Sequence, residues 1–240
     1  MGAGAAALAR RAQALAEDLP QPVRITATTS VAAFVTAHLG EVLAACPAGT
    51  ELGVIATRAR LSLANREAEL ALRMHRLPED GDLAARRIGR FAFGVYAARE
   101  HCRQAGWAGT GDAGRLDFIG LNPDGRPGSQ AAWLEAFARE GRMRLRLSEG
   151  HLRLAAARAG LGATLLPCVL ADADPALVRI AGPVPELTED VWLMVHQDLR
   201  ALPAVRAAAD AIQVLFRRMA DALEGRAPTS GVLDSAAVQH

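Results

Sequence analysis

VRITATTSVAAFVTAHLGEVLAACP, residues 23–47, decides the reading of the fold because its apolar period changes once. The opening VRITAT is a short strand pattern, rich in β-branched side chains. Val31, Phe34, Val35, Leu39, Val42, Leu43 and Cys46 then recur at helical spacing as far as Pro47, which cannot continue a helix. Thr28, Thr29 and Ser30 stand at the change, where hydroxyls serve as N-caps. A strand running straight into a helix is half of a βαβ unit, and a chain that repeats it builds a largely parallel sheet.

The pattern does repeat. ELGVIA (51–56) reads as the next strand, Thr57 opens a short helix to about Arg66, and ELALRM (69–74) is a third strand. RRIGRFAFGVYAA (86–98) carries the chain past Gly94 into a second lobe. There a helix at 98–104 precedes a Gly-rich loop, the strand DFIGL (117–121), a helix from Gln130 to Arg139 and the alternating strand MRLRL (143–147). Ser148 is placed to cap a further helix that stops at Gly160, where glycine suits the left-handed C′ position. LGATLLP (161–167) is a short buried strand, LVRIAG (177–182) and EDVWLMVH (189–196) are the last two, and the second of these returns the chain to the first lobe. Pro203 starts a helix whose Val205, Ala208, Ile212, Leu215, Phe216 and Met219 share one apolar face.

Upstream, residues 3–19 put Leu8, Ala12, Leu15 and Leu19 on a narrow stripe that ends at Pro20, as in a connector or dimerisation arm. The expected organisation is a linker helix over 1–20, one subdomain from 21–94 and 197–225, a second from 95–196, and a flexible tail over 226–240.

Composition narrows the function. The chain has 240 residues, half of them apolar, and a net charge of +1. A duplex-DNA binder draws most of its affinity from a clustered basic excess, and none is present. No apolar run reaches the ~18 residues of a membrane span, and 2–19 sets arginines inside its apolar stretch, unlike a signal peptide; the expectation is a cytoplasmic protein with no membrane partner. Cys46, Cys102 and Cys168 are widely spaced, with no CxxC pair, and read as free thiols. His101 beside Cys102 lacks the spacing of a structural metal site, so no metal is expected. GTGDAG (109–114) spells a dinucleotide fingerprint but has no strand before it or helix after it. With no nucleophile elbow, Walker sequence or HExxH, neither an enzyme nor a cofactor is expected.

What the pattern does offer is small hydroxyls at strand-to-helix turns: Thr28, Thr29, Ser30, Thr57 and Ser148. Ligands of open α/β sheets bind at the carboxyl ends of strands, and helix N-termini favour a carboxylate or phosphate. Each hydroxyl serves equally well as a plain helix cap.

VRITATTSVAAFVTAHLGEVLAACP, ELGVIATRARLSLANREAELALRM (51–74), LPEDGDLAARRIG (77–89) and AARAGLGATLLP (156–167) together resemble the effector-binding domain of LysR-type transcriptional regulators. The resemblance covers residues 23 to about 217, with AGLGATLLP and ELALR its most specific parts; Glu69 stands where the family commonly has Asp. It implies two Rossmann-like subdomains joined by two crossover strands, a type II periplasmic-binding-protein-like α/β fold. It also implies a small-molecule effector, of anionic character given the turns above, held between the subdomains by Thr29, Ser30, Thr57, Gly120, Asn122, Ser148, Glu149 and His151. Arg58 and Arg73 are candidates to neutralise such a ligand. The implied partners are a second copy of the chain, through the helix at Val31 and the strand ELGVIA, and DNA only through an N-terminal winged helix-turn-helix outside these 240 residues. A solute receptor of a transport system shares the fold, but the sequence shows no export signal.

Overall fold

The computed structural model describes residues 22–57, 68–74, 83–107, 113–122, 128–139 and 141–227. The expected helices at 3–19 and 58–66, Arg58, most of GTGDAG and nearly all of the tail lie outside them.

β1 (Val23–Ala27) buries Val23, Ile25 and Ala27 completely and runs into α1 (Thr29–Ala37). The single helix expected up to Cys46 is instead two. His38, at φ −119° and ψ 11°, leaves the helical region, and α2 (Leu39–Ala44) starts after it. The imidazole is held in place by the Phe34 ring, 5.2 Å away between centroids, and by the Glu41 carboxylate, 3.2 Å from Nδ1. Gly40 just beyond is a poor helix former. After the break Val42 stays buried while Leu43 is 45% exposed, off the core face.

The chain continues through β2 (Leu52–Ala56), β3 (Leu70–Met74) and β4 (Leu83–Phe91), then crosses at Ala92 into β5 (Phe93–Ala98), α3 (Arg99–Gln104), β6 (Asp117–Gly120), α4 (Gln130–Ala138) and β7 (Arg142–Arg146). α5 (Gly150–Arg158), β8 (Thr164–Pro167), α6 (Cys168–Ala171) and β9 (Leu177–Ala181) complete this second lobe. β10 (Glu189–His196), α7 (Pro203–Arg218) and α8 (Ala220–Leu223) end it. Gly160, at φ +74°, takes the expected C′ position; its N–H and that of Leu161 donate to Ala157 O and Ala156 O and close α5.

The strand order of the first sheet is β2-β1-β3-β10-β4. β1 lies parallel to β2 and β3, while β10 is antiparallel to both β3 and β4. In the second lobe β6 and β7 pair in parallel, a parallel bridge between Phe118 and Ala163 joins β6 to the start of β8, and β5 lies antiparallel between β8 and β9. Both lobes therefore follow one plan, parallel, parallel, antiparallel, antiparallel, and in each the antiparallel fourth strand arrives from the other lobe. Pairing corrects one expected boundary: a division at 196 gives EDVWLMVH to the second lobe, but the strand pairs along its whole length inside the first sheet. Its buried Val191 and Leu193 suit either sheet equally well, so local pattern does not reveal which one it joins.

The first lobe's core sits between its sheet and α1 and α7. Phe34 meets Phe91 and Phe216 edge-on at 5.9 and 5.2 Å. The expected face of α7 is buried at Val205, Ala208, Ile212, Leu215 and Phe216. Among the described residues no helix is long and apolar enough to cross a membrane.

Candidate functional site

α1 and α5 bring the two lobes together end to end. Each begins where a strand of its own lobe stops, α1 directly after β1 and α5 shortly after β7. The expected capping is not what the hydroxyls do. The N-cap of α1 is Thr28, whose side chain makes no capping bond and whose Oγ1 is buried without a hydrogen-bond partner. Ser148 does not cap α5 either: the helix starts at Gly150, its N-cap is Glu149, and Glu149 makes no bond to its own first turn. Neither helix N-terminus is thus closed by an N-cap side chain, and both keep the positive end of their dipoles toward the space between the lobes.

Across that space Thr29 Oγ1 donates to Glu149 Oε2 at 3.3 Å, joining residues 120 positions apart. A Cβ on Gly150 would stand 3.4 Å from Ser30 Oγ, so the helices meet about as closely as side chains allow. Beside the contact lies a small cleft with about 40 Å³ of room, lined by Thr29, Ser30 and Ala33 from the first lobe and by Gly150, His151 and Leu154 from the second. Leu166, Pro167 and Leu170, at the turn from β8 to α6, form its floor. The buried Arg153 fixes the approach to α5, its guanidinium donating to Leu147 O and Ser148 O at 3.0 Å each.

Of the expected residues, Thr29, Ser30 and His151 line this cavity and Glu149 is bonded to its wall. Thr57, Gly120, Asn122 and Ser148 are not among the lining residues. Thr57 continues β2, and its N–H donates to Ala27 O at 2.9 Å. Gly120 is buried beneath β7, where a Cβ would come within 2.8 Å of Met143 Sδ. Asn122 and Ser148 are exposed. Arg73 is turned to the sheet: it donates to Thr26 Oγ1 at 2.8 Å and to Leu72 O, and burial lowers its pKa. Glu69 clamps β3 to β1 by accepting from the backbone N–H and guanidinium of Arg24. Sequence reasoning missed the apolar half of the cavity. Ala33 and Leu154 lie one helical turn beyond Thr29 and Gly150, and that i+4 spacing was the available signal.

His101 and Cys102 are both buried in α3, and among the described residues no group of three His, Cys, Asp or Glu could hold a metal ion.

Two α/β lobes of like strand order, exchanging one strand each and enclosing a cavity at facing helix N-termini, define a periplasmic-binding-protein-like domain. The sequence is more specific: this chain belongs to the LysR substrate binding domain family, whose pattern matches residues 16–216. Solved structures agree on the fold. The regulatory domain of CrgA, a LysR-type transcriptional regulator from Neisseria meningitidis, superposes with a TM-score of 0.63 at 19% identity, covering 82% of this chain and 98% of that one. The reduced form of the OxyR regulatory domain from Pseudomonas aeruginosa gives 0.60 at 17%, over 82% and 96%. Full-length AphB, the Vibrio cholerae virulence activator, gives 0.59 at 15%, over 87% and 74%. No curated protein sequence matches the chain.

Proposed function

We propose that this chain is the effector-sensing part of a LysR-type transcriptional regulator, and that a small organic anion held between its lobes sets its state. The observation that carries the proposal is the cavity built from both lobes, with Thr29 and Ser30 on one wall and Gly150 and His151 on the other. A ligand there touches both halves at once, so its binding energy bears directly on how they are set relative to each other. Two helix N-termini without side-chain caps favour negative charge. Thr57 follows β2 beside the end of β1, and Gly120, Asn122 and Ser148 follow the ends of β6 and β7. We assign these four to the rim of the site, since ligands of such sheets gather at strand carboxyl ends. The chain senses and does not transform its ligand. In the whole regulator, working in the cytoplasm, it acts as a symmetric dimer and leaves DNA contact to an N-terminal winged helix-turn-helix.

Thermal-shift screening of aromatic and short-chain carboxylates tests this. A ligand bound only by the native state stabilises it by about 2.7 kcal/mol at a hundred times its Kd. At least one acid is expected to raise Tm saturably. Thr29→Val removes one hydrogen bond while keeping its shape, so it is expected to weaken binding of that acid about tenfold with little change in the unliganded Tm. Silence from every acid, or unchanged affinity in both Thr29→Val and Thr57→Val, overturns the proposal.

A further inference from the structure

The chain passes between the lobes twice, at Ala92 and again from Gly182 to Val184, and any rotation of one lobe against the other has to be absorbed there. The two crossings lie against each other. Val184 N–H donates to Phe93 O at 2.8 Å, and a Cβ on Gly182 would stand 2.9 Å from Gly94 Cα. A third stretch, the end of α8, is laid over both. It belongs to the first lobe, where buried Leu223 comes within 3.7 Å of the place a Cβ on Gly89 of β4 would take. Its polar contacts face the other way. Leu223 O accepts from Ala92 N–H at 2.9 Å, and Ala92 O in turn accepts from Cys168 N–H of the second lobe at 2.9 Å. Gly225 closes α8 at φ +67°, and its carbonyl accepts from Arg179 Nη1 at 3.0 Å. Arg179 is itself held on β9, pairing with Asp172 and donating to the Tyr96 hydroxyl. Gly225 is buried with no room for a side chain: a Cβ would lie 2.7 Å from Pro183 Cγ at the second crossing and 2.9 Å from Cys168 Sγ.

We infer that residues 223–225 are a strap across the hinge, which fastens the last helix of the first lobe to both crossings and to the second lobe and so sets the angle between the lobes. Swinging the second lobe away from α8 carries Arg179 away from Gly225 O. The guanidinium stem allows a small rotation with the bond intact, whereas a larger one leaves a buried carbonyl without its charged donor. The backbone bond at Ala92 has no such slack. The strap rests on these bonds alone and is independent of what binds between the lobes.

Gly225 covers the Cys168 thiol, so that thiol reports whether the strap is in place, and the equally buried Cys102 serves as the control for unfolding. Gly225→Val forces a β-branched side chain into the left-handed region and into Pro183 and Cys168. Iodoacetamide labelling of the native chain, followed by peptide mass spectrometry, is expected to reach Cys168 about tenfold or more faster in this variant, the scale of one lost bond to a charged donor, with Cys102 unchanged. The angle is read separately, from spin labels at Arg206→Cys on α7 and Ala136→Cys on α4. These are placed in a Cys46→Ser/Cys168→Ala background and diluted with unlabelled chain. The distance distribution is expected to be narrow with Gly225 and broader with Gly225→Val. Should Gly225→Val fail to fold, a chain ended after Glu224 lacks the Gly225 carbonyl and is expected to give the same two results. Cys168 labelling that stays at the wild-type rate or rises only in step with Cys102, or a distance distribution unchanged by loss of the strap, overturns the inference.

Discussion

At the scale of single residues, burial controls the chemistry of the three cysteines. Cys102 is fully buried and burial pushes its thiol up to about 11, burial raises Cys168 likewise, and Cys46 alone is partly exposed. Iodoacetamide at pH 8 is expected to label Cys46 first, with Cys102 and Cys168 reacting only as the chain unfolds; rapid native labelling of Cys102, seen by peptide mass spectrometry, would contradict this. The sign for stability follows from the same shift. A thiol raised from its ordinary 9.0 leaves the folded state protonated while the unfolded chain ionises, so its contribution is intact below pH 9 and is lost as pH climbs toward 11. That these cysteines are free thiols was legible from their spacing. That Thr28 and Ser148 leave their helices uncapped was not, because a hydroxyl at a turn has the same letter whether it bonds its own helix, another lobe or a ligand.

At the scale of elements, the second lobe is fastened to the segment that follows α8 by a network with little exposure. Tyr96 on β5 donates to Asp172 Oδ1 at 2.9 Å, Arg179 on β9 donates to the Tyr96 hydroxyl at 3.0 Å and pairs with Asp172, and its other arm donates to Gly225 O beyond α8. Burial pushes the Tyr96 phenol far above its ordinary range, so it stays a donor at every working pH. Arg179→Met leaves Asp172 without its cation and is expected to cost about 2–4 kcal/mol in urea unfolding. The Arg179→Met/Asp172→Asn pair is expected to cost clearly less than the two single changes added together. Additive losses, or a single loss below about 1 kcal/mol, would show that the network is peripheral. Most strands and helices could be read from apolar period, since β1, α1 and α7 each bury one regular face. The break at His38 could not, because Leu39 and Val42 continue the same spacing and only the backbone turn shows the interruption. The apolar half of the cavity was hidden for a related reason: Leu154, Leu166 and Leu170 have the pattern of core residues, and only the approach of the other lobe leaves room beside them.

At the scale of the whole molecule, β2 is an edge of the first sheet among the described residues, with Leu52 through Ile55 only half-buried, and α2 exposes Leu43 at 45%. An edge strand with apolar side chains invites pairing with a second copy, and a two-fold contact uses the same patch on both. Light scattering at tens of micromolar is expected to give twice the chain mass, and Leu43→Glu is expected to return it to one with an unchanged circular dichroism spectrum. A wild-type monomer at that concentration counts against the dimer. The exchanged strands carry a different consequence, one for biosynthesis. When β3 and β4 leave the ribosome, the strand that belongs between them, β10, has not yet been translated. At about 5–20 residues per second the nascent first sheet waits on the order of ten seconds with the place between β3 and β4 unfilled. β5 has by then already been committed to a lobe whose own helices are still being made. The N-terminal third of the protein therefore passes through synthesis as an open template, the stage at which trigger-type chaperones and slow codons upstream of residue 189 have the most to decide.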